Sequence, residues 1–518
     1  MLSRFKKTTA APPPDQRSVN YSKEHVKLAK TLERRAKWTG IFWDKIPQLR
    51  ADRYLDVLGT LVNATFRERS EFLVNAFSDS GISSSSTKTA VYAHIIPPRS
   101  SATETILLSA NWMSRDGGPN LRGIAMLLSL GDFLQGQNHW AFDFVLVVGE
   151  GYMEGLEGFM QEYHSLFPGV IWTALNLDYP GHSFSHIGLF YGICSSSFIL
   201  YLRTHRNPTR SEGVNGRLPN QDIINTVSRV ARHTGNIDIR YHNIPNNVVP
   251  LGPSLLENQI GKYILASTHL LRHFFFMALG RASASHGVLA KHRIDSITLY
   301  MTPTLTPHGF HALGRTLESS LRSLNNLLER LHASYFFYLL PLPEKFVPVG
   351  NYLPAAILLG ASITIGGFDC PSPLTGLVYL VAAFVLAGIS YISDFPGISL
   401  LALMVSLNEQ SRRSLLSLCH LLYGALIPTL AMVNFPQAIV LALITSIHLS
   451  GSRIVRKAGL ALHPSLVLFA LEWFKTGIDL EAEYTRFGNL TYPAMFALWI
   501  PLWIASDWTR TPTKREWI

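Results

Sequence analysis

"ILLSANWMSRDGGPNLRGIAMLLSLGDFLQG", residues 106–136, decides how the first half of the chain folds. It opens on the apolar run Ile106 to Ala110, short and rich in large aliphatics like a buried strand. A polar loop with adjacent Gly117 and Gly118 follows and ends at the Pro119-Asn120 pair. From there Ile124, Leu127, Leu128, Leu130, Gly131 and Leu134 recur at helical spacing and form one broad apolar face. Strand, loop and helix in that order put the loop at the carboxyl end of a strand, where open α/β sheets bind ligands and carry reacting groups. The first side chains on offer there are Asn111, Trp112 and Met113.

On either side the pattern repeats. Strands are predicted at residues 90–96, 105–110, 142–148, 173–177 and 297–301. Between them Leu156, Phe159, Met160 and Tyr163 mark one helix, and Ile223, Ile224, Val227 and Val230 mark another over 220–234. This alternation predicts an α/β domain with a central mixed sheet and helices on both faces. Over 310–335, Leu313, Leu317, Leu321, Leu324, Leu327, Leu328 and Leu331 line one stripe with Arg, Glu and Ser opposite. Such an amphipathic helix ahead of an apolar region is expected to lie in a membrane interface or under the soluble domain.

At 518 residues the chain exceeds one ordinary domain, and its charged fraction of 15% is low and uneven. Residues 346–507 are mostly apolar, in runs at 346–366, 374–393, 395–407, 415–433, 436–450, 460–474 and 490–506. Basic residues gather at Arg412-Arg413, at Arg453, Arg456 and Lys457, and at Arg510, Lys514 and Arg515. If all seven runs cross a membrane, these clusters share one side, which the positive-inside rule makes cytosolic, and the large domain faces the lumen. Sequons at Asn20, Asn63 and Asn489 are compatible with that side. The expected organisation is a polar N-terminal segment with a helix over 22–37 (1–49), an α/β lumenal domain (50–309), an amphipathic juxtamembrane helix and entry (310–345), about seven membrane helices (346–507) and a short basic cytosolic tail (508–518). The net charge of +10 is spread thinly and carries no aromatic-and-basic motif, so it reads as membrane-related rather than nucleic-acid-binding.

Common catalytic signatures are missing. No H-E-x-x-H or G-x-S-x-G occurs, and "GEGYMEG" at 149–155 places its third glycine one residue late for a dinucleotide loop. The three cysteines, Cys194, Cys370 and Cys419, form neither C-x-x-C nor a disulfide framework, and Cys194 reads as a buried structural thiol. His182, His186 and His205 lack ligand spacing and read as surface residues in polar loops.

The order of strand, loop, "GIAMLLSLGDFL", "FDFVLVVGEGYMEGLEGF" and "TALNLDYPG" resembles the zinc aminopeptidase family. That family shows a His-x-Asp loop, an Asp before the helix, a Glu-Glu pair and an Asn-x-Asp. Here the resemblance puts Asn111 at the His and Met113 at the Asp. Asn120, Leu121 and Arg122 stand in place of the bridging Asp, and Gly151 in place of the second Glu. Glu150 matches the proton-transferring Glu and Asp178 a surviving ligand position. Asn and Met cannot replace His and Asp on two zinc ions, so the expectation is a pseudoenzyme without metal or cofactor. Glu150 and Asp178 read either as solvated or helix-capping carboxylates or, for Glu150, as a partner for a ligand amine.

"LPNQDIIN" (218–225), "HGVLAKHRIDSITL" (286–299), "LNNLLERLHASYFFYLLP" (324–341) and "GNLTYPAMFALWIPLW" (488–503) give the whole chain its resemblance to the anchor-attachment subunit family of the glycosylphosphatidylinositol (GPI) transamidase. The resemblance implies a multi-pass endoplasmic-reticulum protein that binds GPI lipid beside a caspase-like subunit carrying the catalytic cysteine. Precursor proteins with a C-terminal signal are the other substrate. It also implies that Pro501, in "ALWIPLW", stands at a proline linked to GPI recognition. Members begin with a membrane anchor; the first residues here hold no apolar core of that length, and the expectation is a truncated start. An active membrane metallopeptidase, or a lipid transporter or scramblase, are the alternative functions.

Overall fold

The computed structural model describes residues 45–190, 214–241, 259–279, 284–305, 308–326, 337–342, 345–404, 407–450, 452–460, 462–473 and 479–506. The helix expected at 22–37, Cys194, His205, Leu327, Leu328, Leu331 and the tail at 508–518 lie outside them. The chain divides into two compact units: Met1–Ser195 with Leu218–Leu271 and Ala282–Pro348, and Ser196–Arg217 with Arg272–Arg281 and Val349–Ile518.

The first unit opens with helices α1 (Lys45–Thr60) and α2 (Phe66–Asp79). Its strands are β1 (Ser83–Ser86), β2 (Ala90–Ile95), β3 (Glu104–Ser109), β4 (Asp143–Gly149), β5 (Val170–Asp178), β6 (Ser183–Phe190), β7 (Asp238–Tyr241) and β8 (Asp295–Thr304). They form one mixed sheet in the order β1-β2-β4-β3-β5-β8-β6-β7. The central four, β4, β3, β5 and β8, run parallel, flanked by the antiparallel pairings β2 with β4 and β6 with β8. Parallel neighbours need crossovers, which α3 (Leu121–Gln135) supplies between β3 and β4 and α4 (Glu154–Leu166) between β4 and β5. The chain leaves β3 to one side for β4 and returns to β5 on the other, so the strand order reverses at β3. The crevice outside the carboxyl ends of β3 and β5 is the switch point of the sheet.

All five predicted strands form, shifted by one to three residues at their ends. β1 reads "SSSS" and is an exposed edge strand without apolar signal. β6 was expected as a polar loop, and this corrects the reading of His186: it is buried on β6, its Nδ1 2.7 Å from Ser185 Oγ and its Nε2 3.2 Å from Thr302 Oγ1. The pleat sorts the central strands. Ile106, Leu108, Leu175, Leu177, Leu299 and Met301 share the main core with Leu127, Leu130 and Leu134 of α3. On the opposite face Ser109, Asn176 and Thr298 lie side by side across β3, β5 and β8, all buried.

α5 (Gln221–Val230, continued by a π-turn) precedes β7, α6 (Gln259–Leu279) and α7 (His286–Lys291) lie between β7 and β8, and α8 (Phe310–Asn325) and the hairpin β9 (Tyr338–Leu342) with β10 (Lys345–Pro348) follow β8. Of the two settings expected for it, α8 takes packing with the first unit. Its stripe of Leu313, Leu317, Leu321 and Leu324 sits in the main core, and its polar face is buried as well, at Glu318, Ser319, Ser320 and Arg322. A helix apolar on one side would suit an interface, but α1, α3 and α5 pack round this one. Glu318 and Arg322 pair with each other inside that packing. The helix therefore belongs to the body of the first unit rather than to a juxtamembrane element.

In the second unit, α9 (Val349–Ile365), α10 (Pro373–Ile392), α11 (Glu409–Val433), α12 (Phe435–His448), α13 (Arg453–Leu460), α14 (Pro464–Trp473), α15 (Leu480–Phe487), α16 (Thr491–Ala494) and α17 (Ile500–Ala505) are helical. Among the described residues two helices, α10 and α11, are long and apolar enough to cross a membrane, with mean hydropathy 2.0 and 1.8. α9, α12 and the stretch 491–505 are shorter apolar helices. The seven expected crossings are thus not all helices of spanning length: the third run holds a 3₁₀ stretch, Pro396–Met404, and the sixth only the ten residues of α14. α9 and α11 meet at small residues, where a Cβ on Gly360 would lie 2.4 Å from the Gly424 carbonyl oxygen. Upstream residues join this unit too: Asn215 Nδ2 donates to Gly488 O at 2.9 Å, and Asn434 Nδ2 to Met277 O at 3.1 Å.

Candidate functional site

The crevice at the carboxyl ends of β3 and β5 gathers the positions that the sequence singled out. Two residues beyond Ser109 on the same pleat comes Asn111, and two beyond Asn176 comes Asp178. The loop 111–120 folds on itself: Ser114 N donates to Gly118 O at 2.7 Å, and Met113 bridges Pro119.

The side chains at these positions make the following contacts. Asn111 is buried, and its amide nitrogen donates to Ser285 Oγ at 2.7 Å and to Tyr152 O. Met113 is exposed and makes only a main-chain bond toward the neighbouring loop, to Gly151 O at 2.9 Å. Gly151 has φ +66°, the left-handed region where a glutamate would be strained. Glu150 pairs with Arg69 of α2 at 2.8 Å, their side chains 38% and 13% exposed. Arg69 also lies 4.5 Å over the Trp112 ring and donates to the carbonyls of Leu61 and Val62. Glu150 is therefore neither a free solvated carboxylate nor a helix cap. Glu154, the first residue of α4, accepts from Tyr152 N at 2.9 Å and Met153 N at 3.0 Å, just ahead of the helix.

Asn120 holds the centre. Buried at the start of α3, it donates to Asn111 O at 3.0 Å and Leu177 O at 2.9 Å, and its Oδ1 accepts from Tyr179 N at 2.8 Å. One amide thus ties the loop after β3 to the end of β5. Asp178 accepts from Ser114 Oγ at 2.6 Å and Arg115 N at 3.1 Å. Beyond it Tyr300 donates to Asp116, under the Arg115 guanidinium. A two-zinc centre does not fit this set: the amide of Asn111 points its donors inward, Met113 faces out, Glu150 is ion-paired, and among the described residues no three His, Cys, Asp or Glu side chains converge on one point. A cavity of about 500 Å³ lies instead at the other end of α3, lined by Arg50, Arg53, Tyr54, Asp79, Ser80 and Asp132.

Burial raises the Asp178 carboxyl to about 6, against the opposing pull of Ser114 and the Arg115 N–H. Burial also raises the Tyr152 and Tyr300 hydroxyls, with nearby carboxylates adding to it. The sign for stability follows. The unfolded carboxyl ionises near 3.8 and the native one near 6, so between those values the native state holds the extra proton. Stability is fullest below the lower value and falls as pH rises to about 6, by ~3 kcal/mol for a shift of about two units. Melting curves from pH 3.5 to 7 should show that loss in the wild type and a flatter profile in Asp178→Asn. Parallel profiles for the two proteins would refute it.

The sequence missed Arg69, Ser114, Tyr152, Ser285 and Tyr300. Arg69 stands 81 residues from Glu150 and Ser285 174 from Asn111, so no local spacing betrays them.

A family model described as "Gaa1-like, GPI transamidase component" matches residues 87–377, which contain strands β2 to β8 and the loops that carry Asn111, Asn120, Glu150 and Asp178. The chain belongs to the Gaa1-like family. The GPI transamidase component gaa1 of Schizosaccharomyces pombe is 30% identical over 278 residues, 52% of this chain and 44% of the relative. The GPI transamidase component GAA1 of Saccharomyces cerevisiae is 27% identical over 371 residues, 68% of this chain and 53% of the relative. The chain thus spans about half the length of the curated relatives it matches. Among solved structures, the LapA aminopeptidase of Legionella pneumophila matches with a TM-score of 0.35 at 11% identity, covering 58% of this chain and 76% of that one. Glutaminyl cyclase of Porphyromonas gingivalis matches with 0.30 at 13%, covering 52% and 97%. Likeness at that level says nothing about chemistry.

Proposed function

We propose that this chain is a non-catalytic subunit of a GPI transamidase in the endoplasmic-reticulum membrane. It binds the GPI lipid and presents it for attachment to the new C-terminus of precursor proteins, while a caspase-like partner subunit carries the catalytic cysteine. The observation that carries the reading is membership of the Gaa1-like family over residues 87–377. The use of Asn111, Asn120, Glu150 and Asp178 as structural ties supports a pseudoenzyme.

A lipid with a polar glycan needs an apolar groove beside a soluble domain. The outward apolar side chains of α10, among them Leu374, Val378 and Ile392, suit a helix set in lipid, with the first unit on the lumenal side. Pro501 remains the candidate for GPI recognition. It is buried behind a π-turn, Met495–Trp499, and supplies no N–H to the turn before it. Nearby, the carbonyl of Leu498 accepts from the Tyr423 hydroxyl. Its influence on a lipid would come through this break in the helix rather than through its ring.

Purification of the full-length protein from solubilised membranes tests the reading. A caspase-like protease subunit is expected in the same particle, with less than one-tenth of a zinc ion per chain as an order-of-magnitude expectation for a site without ligands. A protein that runs alone, holds stoichiometric zinc and cleaves aminoacyl peptides would overturn it.

A further inference from the structure

The three sequons differ once folded. Asn489 is fully buried and its Oδ1 accepts from Thr491 N at 3.0 Å and Thr491 Oγ1 at 2.8 Å, so the folded chain has no room for a glycan there. Asn20 lies outside the described residues. Asn63 is exposed, in the turn 61–65 between α1 and α2, with Ala64 in the middle position where proline would block the sequon.

We propose that Asn63 carries an N-linked glycan, a proposal that rests on the lumenal placement of the first unit. The donor is a polyprenyl-diphosphate oligosaccharide. A bond forms between the sugar's anomeric carbon and the Asn63 amide nitrogen as the glycosyl–phosphate bond breaks; the lipid diphosphate leaves, and the amide gives up one proton. The third sequon residue, Thr65, has a second task. It is the N-cap of α2 in a capping box, its hydroxyl accepting from Glu68 N and its own N–H donating to Glu68 Oε2 at 2.8 Å. Transfer therefore belongs to the unfolded, entering chain, before Glu68 engages the hydroxyl. Once folded, the same turn is gripped by Arg69 through the Leu61 and Val62 carbonyls, and Arg69 reaches Glu150 and Trp112. The glycan then stands at the rim of the crevice and keeps that rim in solvent, clear of any partner subunit.

The dual role of Thr65 makes the test selective. The full-length protein is expressed in membranes and digested with a peptide-N-glycosidase, and the mobility shift is read for each variant. Asn63→Gln should lose one glycan. Thr65→Asn should lose the same glycan while keeping an equally good N-cap, and Thr65→Ser should keep both. Ser101→Asn creates an Asn-Ala-Thr sequon on the exposed turn before β3 and reports the side of the membrane independently. If Ser101→Asn gains a glycan and Asn63→Gln loses none, the proposal is overturned and the lumenal reading stands. If neither changes, both fall.

Discussion

Asn120→Asp should cost the first unit about 4 kcal/mol and win back no zinc. The change puts a carboxylate among the three residues, Asn120, Leu121 and Arg122, that the sequence resemblance sets in place of a bridging Asp. It also removes the amide that donates to Asn111 O and Leu177 O and leaves two buried carbonyls facing a carboxylate. Each buried acceptor without its donor costs roughly 1–3 kcal/mol, and the like-charged dipoles add to it. The Tyr179 N–H alone remains satisfied. Because a protonated Asp can donate one of the lost bonds, the penalty should shrink between pH 6 and pH 4. Urea unfolding at both pH values, with metal analysis of the same sample, measures it. A variant as stable as the wild type, or one that takes up zinc, would show that the crevice still keeps a metal site under its hydrogen bonds.

Glu318→Ala should be as damaging, at about 3–5 kcal/mol, because it leaves the Arg322 guanidinium buried without its carboxylate. That is a large part of the ~5–15 kcal/mol that holds an ordinary domain together, so the variant should accumulate poorly in cells. The double substitution Glu318→Leu with Arg322→Met should recover most of the loss, since well-packed apolar residues of similar volume commonly replace a buried pair at little cost. A double-mutant cycle on thermal stability reads the coupling directly. If the single and double variants are equally unstable, the pair is not what holds α8 in the core.

Much of the α/β frame was readable because it rests on local periodicity. Ile106 to Ala110 followed by the spacing of Ile124, Leu127 and Leu130 can bury apolar surface in few ways other than a strand crossing over to a helix. β1, β6 and β7 were not predicted: β1 is an edge strand of serines, β7 has only four residues, and in β6 a register shift between Phe184 and Ile187 breaks the alternation of its core residues Phe184, Ile187 and Leu189. α8 was readable as a helix but not as a core helix: its stripe is identical in either setting, and the burial of its polar face at Glu318, Ser319, Ser320 and Arg322 depends on tertiary packing. The apolar runs of the second half announced a second solvent. Their length in residues did not say which would be straight helices and which would break into 3₁₀ or π turns.

The same division runs through the site. Sequence by itself determined which residue types remain at the ends of β3, β4 and β5, and hence that Asn111, Met113 and Gly151 cannot ligate as His, Asp and Glu would. It also determined the family, because motifs spread from residue 218 to 503 survive as strings. What Asn120, Glu150 and Asp178 do was decided by tertiary structure alone. Their partners, Leu177, Arg69 and Ser114, are 57, 81 and 64 residues away along the chain, and a hydrogen bond or ion pair depends on distances that only the closed sheet and the packing of α2 against it create.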